Sequence, residues 1–195
     1  MRFAYYQGLS RTEKRAYDDS DRRRTVSLLD PRACDAALAQ IEQGLAADDH
    51  DRVQAGTRAL VEALIVQTSA PPVVVTVLAV RPSDDDGELH GFYEMDDDGL
   101  CELRVWMRTA AKKKPVAFRS FVRTVLHELC HHLDFARDEL DHSFHTEGFF
   151  ARENDLTRQL LGASKPRPPR VPRVQVSSRP KFLDVVKQPS LFEDD

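Results

Sequence analysis

The chain has 195 residues, 41% of them apolar and 31% charged, with a formal net charge of −4; that is one globular domain with a real core, plus a tail. The mild acidity excludes a global nucleic-acid footprint, so any basic surface has to be local. The cysteines, Cys34, Cys101 and Cys130, form no Cys-x-x-Cys pair, which excludes a disulfide framework and a cysteine zinc ribbon.

Residues 9–25 are highly charged and lack a clear apolar stripe, so they read as a solvated helix or a flexible arm. Asp30 followed by Pro31 reads as an N-cap with proline at the first helical position. Ala33, Ala37, Leu38, Ile41 and Leu45 then recur at helical spacing. A second helix is predicted over Asp51–Gln67, with Val53, Leu60, Val61, Leu64 and Ile65 on its apolar face. Pro71-Pro72 ends the helical region.

Val73–Val80 is short and β-branched and reads as a strand. Ser83–Gly87 reads as a turn, and Leu89–Met95 as a second strand. Asp96–Gly99 reads as another turn and Leu100–Arg108 as a third strand, with Cys101, Leu103, Val105 and Met107 on one face. Phe118, Phe121, Val122, Val125, Leu126, Leu129 and Leu133 predict one long amphipathic helix over Val116–Asp134. A last helix is predicted over His145–Leu161, stopped by Gly162. Together these elements predict helices around a small sheet. N-terminal helices cover 1–70, a small β-meander packs on the long helix within a core over 71–163, and a disordered tail covers 164–195.

Within the long helix, His127-Glu128-Leu129-Cys130-His131 is a His-Glu-x-x-His sequence. Residues four apart on a helix share one face, with β-carbons ~5–6 Å apart. Two imidazoles there can converge on one zinc ion, and Glu128 beside them can act as a general base toward water. The bland alternative is two histidines idle on a charged helix face. Against it, Leu126, Leu129 and Leu133 mark the core side, so the motif histidines are not core residues by default. A catalytic zinc site needs a third protein ligand. His132, Asp141, His142, His145, Glu147 and Glu153 are the candidates. His132 points about 100° round the helix from His131, and Glu153 is the choice if the ligand is a carboxylate.

The meander, the helix with His-Glu-Leu-Cys-His, and the His145-Thr146-Glu147-Gly148-Phe149-Phe150 segment resemble the SprT-like zincin metallopeptidases over residues 73–161. The resemblance implies an α+β fold with a zincin-like core, a bound Zn2+ and hydrolysis of peptide bonds in a protein or peptide substrate. It also implies His145 as the third ligand beside His127 and His131, since in that group the ligand opens the following helix and an aromatic residue follows four or five positions on. Some members carry a C-terminal cysteine zinc ribbon, which this chain lacks. Relatives act on proteins crosslinked to DNA, which brings a role in DNA repair into view.

Other residues have two readings. Asp134 could orient a ligand histidine, or be a solvated residue at a helix end. Tyr93 could stabilise an oxyanion, or pack across strands. Cys130 reads as a small packing residue. The third strand could bind substrate as a sheet edge.

From Ser164 the composition turns basic and proline-rich, Lys165-Pro166-Arg167-Pro168-Pro169-Arg170, which reads as an extended linker open to weak DNA contact. Gln188-Pro189-Ser190-Leu191-Phe192 resembles the short peptide that docks on the bacterial sliding clamp. Gln188, Leu191 and Phe192 are its candidate contacts; a chance pentapeptide, or a tail folded back on its own domain, is the alternative. The opening segment lacks an apolar signal core and no run approaches the ~20 residues of a membrane span. With unpaired thiols, the expectation is a cytoplasmic protein with no membrane partner. Two further function classes stay in view: a non-catalytic zinc-stabilised binding module, and a regulatory protease with one dedicated substrate.

Overall fold

The computed structural model describes residues 3–85 and 87–162 and has an α+β architecture. Helix α1 spans Arg11–Arg22, α2 Asp35–Ala46 and α3 His50–Thr68. Strands follow at Val74–Val80 (β1), Ser83–Asp84 (β2), Gly87–Glu88 (β3), Gly91–Met95 (β4) and Cys101–Arg108 (β5). Helix α4 spans Phe118–His132 and α5 Glu147–Leu161. The proposed docking residues Gln188, Leu191 and Phe192, and the whole tail from 163 on, lie outside the described residues.

The charged segment near the N-terminus is an ordered helix, not an arm. Ser10 and Glu13 close a reciprocal capping box at its start, which satisfies amide donors that the first turn otherwise leaves bare. Its buried face consists of Ala16, Tyr17 and Ser20. With one large side chain among them, this face leaves no apolar stripe to see. Polar bonds fasten it instead: Arg152 of α5 donates to the carbonyls of Ser20 (2.7 Å) and Arg23 (2.6 Å).

Asp30 accepts from the Arg32 amide at 3.1 Å, as its N-cap reading requires. Pro31–Cys34 forms a 3-10 turn before α2 begins. Helices α2 and α3 then pack as an antiparallel hairpin against the sheet. Their Ile41, Leu45, Val53, Leu60 and Leu64 join Val77, Leu103, Val105, Leu126, Leu129 and Phe149 in one apolar core.

The sheet is not a meander. Its order is β1-β5-β4, with β1 parallel to β5 and β4 antiparallel to it. The segment read as a plain turn carries the two-stranded β2–β3 ladder. It takes the chain past the place that β5 later fills, so β4 lands beyond it. The third strand is therefore central rather than an edge. It is also the most buried strand, with Cys101, Leu103, Val105, Trp106 and Met107 all inside.

The two edges differ. Gln54 of α3 donates to the Val75 carbonyl (2.9 Å) and accepts from the Val77 amide (2.7 Å), and His50 Nε2 meets the Val77 carbonyl at 2.7 Å. Side chains thus cover the outer edge of β1. Among the described residues no strand pairs with the outer side of β4, and β4 packs against α4 together with β5.

Candidate metal centre

Helix α4 is apolar enough on one face to bury Phe121, Val122, Val125, Leu126 and Leu129, and the same burial carries His127 and Glu128 inside. After His132 the chain widens into one π turn, Leu133–Arg137, and leaves the helix. The return loop brings His145 back toward α4. His145 sits just ahead of α5 rather than within it; the N-cap is Thr146, whose hydroxyl accepts from the Phe149 amide at 2.9 Å.

The loop is held from the N-terminal side. Tyr5 donates its hydroxyl to the His145 carbonyl at 3.2 Å. The Gly148 amide donates to Asp21 at 2.8 Å, and a Cβ at Gly148 would lie 2.4 Å from the Asp21 carbonyl oxygen. Only glycine lets α1 approach this closely.

His127, His131 and His145 come together. Their Nε2 atoms are 2.9 Å apart for His127 and His145, 3.1 Å for His131 and His145, and 3.3 Å for His127 and His131. Three imidazoles on one zinc at ~2.0–2.1 Å with tetrahedral angles would hold their nitrogens ~3.3–3.4 Å apart. Phe149, fully buried, forms an apolar floor against all three rings at centroid distances of 4.9, 4.6 and 5.0 Å.

Hydrogen bonding fixes two of the rings. Glu153 accepts from His127 Nδ1 at 3.0 Å, and Arg123 donates to the other Glu153 oxygen at 2.6 Å. Burial alone would push the Glu153 carboxyl up, but His127 and Arg123 outweigh it and hold the pKa below the usual range. Ser143 Oγ lies 2.8 Å from His131 Nδ1 and donates to Asp134 at 2.8 Å. With its one proton given to Asp134, Ser143 must accept from His131. His127 and His131 thus both carry hydrogen on Nδ1, and in the neutral imidazole that a metal ligates the lone pair is then on Nε2. Lone pairs facing each other across 3.3 Å repel; a cation between them removes the conflict. The donor set therefore fits a metal ion with nitrogen preference.

Burial, followed by the neighbouring His127, holds the pKa values of His131 and His145 well below the ordinary imidazole range. Both rings are then neutral at pH 7, as ligands must be. Glu128 is 4% exposed, and burial pushes its carboxyl up to about 7, opposed by His127 and reinforced by Glu153. Its position depends on β4. A Cβ at Gly91 would lie 2.3 Å from Glu128 Oε1 and 2.7 Å from its Cγ.

The other candidates fall elsewhere. His132 is fully buried, with Nε2 donating to the Pro71 carbonyl at 2.8 Å. His142 is exposed, its ring 5.6 Å from Phe144. Asp141 is exposed and Glu147 lies in the first turn of α5. Glu153 stands behind His127. Asp134 is fully buried rather than solvated. The Tyr93 hydroxyl sits between Cys101 Sγ (3.1 Å) and His132 Nδ1 (3.2 Å), and its ring stacks on Phe135; cross-strand packing occupies it. Cys130 is fully buried in the core. Sequence reasoning missed Gly91, Ser143 and Tyr5. An isolated glycine within a strand pattern signals close approach of another group, so Gly91 was the findable one.

Compared with known proteins, the chain matches no protein family, no curated protein and no solved structure. The class is therefore defined by the molecule itself: an α+β protein whose partly buried three-histidine cluster is able to hold a metal ion.

Proposed function

We propose that the protein is a zinc-dependent peptidase with a zincin-like core, in which His127, His131 and His145 hold the metal and Glu128 is the general base. One observation carries this reading: three Nε2 atoms converge, two of them on rings whose Nδ1 is held as a donor, beside a buried carboxyl group that the ligand set does not use. A purely structural zinc site takes four protein ligands. Here, among the described residues, three histidines make up the cluster and leave a fourth position, with Glu128 next to them in sequence.

When bound, zinc would act as a Lewis acid that lowers the pKa of water and polarises a carbonyl. The chain's own residues do the rest. Glu128 takes the proton of the attacking water and then passes that proton to the leaving amine. Glu153 and Ser143 keep His127 and His131 in the ligating tautomer. The edge of β4 that no described strand pairs with offers backbone groups to an extended polypeptide, which would pair as an added strand and bring its scissile bond past Glu128.

The tail extends the proposal. Gln188, Leu191 and Phe192 would dock on a bacterial sliding clamp, with the basic segment after Ser164 adding weak DNA contact, so that substrates are DNA-associated proteins in the cytoplasm. The test compares wild type with Glu128→Gln for zinc content and for cleavage of casein and of DNA-crosslinked protein. Zinc retained in both with cleavage lost in the variant supports a peptidase. Zinc in both and cleavage in neither favours the binding module, and cleavage of one dedicated partner alone favours the regulatory protease.

A further inference from the structure

An ion pair lies fully buried beside the metal centre without serving it directly. Arg152 donates to Asp134 at 2.6 Å, and both side chains are wholly inaccessible. Burying two charges costs several kcal/mol per ion, and well-packed apolar residues often replace such a pair without loss of stability. The pair thus calls for a reason beyond cohesion. Its surroundings supply one. Asp134 lies in the π turn just past His131. Its Oδ2 accepts from Ser143 at 2.8 Å and from Ser20 of α1 at 3.2 Å. Burial pushes the Asp134 carboxyl up, opposed by Arg152, Ser143 and Ser20; with a permanently charged guanidinium donating to Oδ1 and two hydroxyls donating to Oδ2, the geometry is that of a carboxylate. Ser143, its hydroxyl committed to Asp134, offers His131 Nδ1 a lone pair at 2.8 Å.

We propose that Asp134 is a positioning residue for the metal ligand His131, acting through Ser143, with Arg152 and Ser20 holding Asp134 in place. The carboxylate polarises the Ser143 hydroxyl, makes its oxygen a better acceptor, and so locks His131 with its proton on Nδ1 and its lone pair on Nε2. His127 has a direct carboxylate partner in Glu153; His131 has the same support one hydroxyl removed. Outer partners of this kind typically contribute about ten- to a hundred-fold to metal affinity. The relay also makes α1 part of the metal centre, because Ser20 belongs to that helix.

The proposal rests on the metal-binding half of the reading above, and its readouts are metal affinity and imidazole tautomer, not hydrolysis. Zinc affinity is measured on the full chain by competition with a chromophoric chelator, and the His131 tautomer by nitrogen-15 imidazole spectra of the metal-free protein. Ser143→Ala leaves the Arg152–Asp134 pair intact, so it keeps the fold. It is expected to weaken zinc binding about ten- to a hundred-fold and to release His131 into a mixture of tautomers, whereas Ser143→Thr restores both. Asp134→Asn should lose a similar amount, and the double variant should lose no more than either alone, because one relay is being cut twice. A purely structural pair would lower thermal stability and leave affinity and tautomer unchanged. If Asp134→Asn does not fold, Ser143→Ala decides. Ser143→Ala binding zinc as tightly as wild type with His131 still protonated at Nδ1, losses that add in the double variant, or a wild type that binds no zinc, overturns the relay. A protein that shows these effects yet cleaves nothing leaves the relay standing and removes the peptidase.

Discussion

Gly91 and Glu128 occupy nearly the same space: a single Cβ on the strand residue would lie 2.3 Å from the carboxylate oxygen of the helix residue. Strand β4 and helix α4 are thus packed to the limit at the point where the proposed base sits. Gly91→Ala is expected to displace Glu128 while leaving the three histidines alone. Cleavage should fall steeply with zinc content unchanged, at an overpacking cost of about 1–3 kcal/mol in stability. Metal analysis and a casein assay on the folded variant check this; full activity in Gly91→Ala would show that Glu128 does not need its present position.

The third ligand separates two histidines three residues apart. His145 faces the cluster and His142 is exposed. His145→Ala is expected to strip the metal under dialysis, and His142→Ala to keep it. Zinc stoichiometry after purification reads the difference, and the reverse pattern would assign the ligand wrongly.

Acid stability of the metal-free protein should show contributions of opposite sign, with the depressed His131 and His145 adding to the acid loss that His90 brings. His90 is pushed down to about 4 by burial and by Arg81, while the unfolded chain protonates it near 6.5. The unfolded state then binds a proton that the fold refuses, so stability is lost as pH falls from about 6.5 to about 4, by about 3 kcal/mol at most. Glu128, pushed up to about 7, has the other sign: between about 7 and about 4.5 the fold binds the proton first, and stability is gained on acidification. Urea denaturation across this range should show a shallower acid loss in His90→Gln and a steeper one in Glu128→Gln. Parallel curves for all three proteins would contradict these protonation states.

Much of this was legible in advance. The two motif histidines and Glu128 follow from helical spacing alone, because α4 is a strongly periodic helix. The hairpin of α2 and α3 follows from its apolar positions and its caps. Strand order did not, because the residues of β1, β4 and β5 carry no mark of their neighbours; parallel pairing of β1 with β5 depends on where the β2–β3 ladder carries the chain. Helix α1 was hidden because its inner face carries a single large side chain, Tyr17, packed on Tyr5, Tyr6 and Phe144, and is otherwise fastened by polar bonds from Arg152. Asp134 was visible only as an ambiguous acid; the residues that give it meaning, Ser20, Ser143 and Arg152, lie up to 114 positions away in the chain.

The tail carries its own test. A peptide spanning residues 181–195 is titrated against the source organism's sliding clamp, beside a peptide with Leu191 and Phe192 changed to Ala. Weak binding by the first and none by the second is expected, since ordering a free peptide costs entropy. Equal binding by both, or none by either, ends the docking proposal without touching the metal centre.

The most direct test of the central claim is cleavage by zinc-loaded Glu128→Gln. Its amide is nearly isosteric with the carboxylate but cannot take a proton, and general-base help is worth roughly a hundred- to ten-thousand-fold in rate. The expected result is one zinc per chain in both proteins, with hydrolysis of casein or DNA-crosslinked protein by the wild type and a loss of that size in the variant. Equal hydrolysis by both proteins, with zinc bound in each, would contradict the assignment of Glu128 as the base.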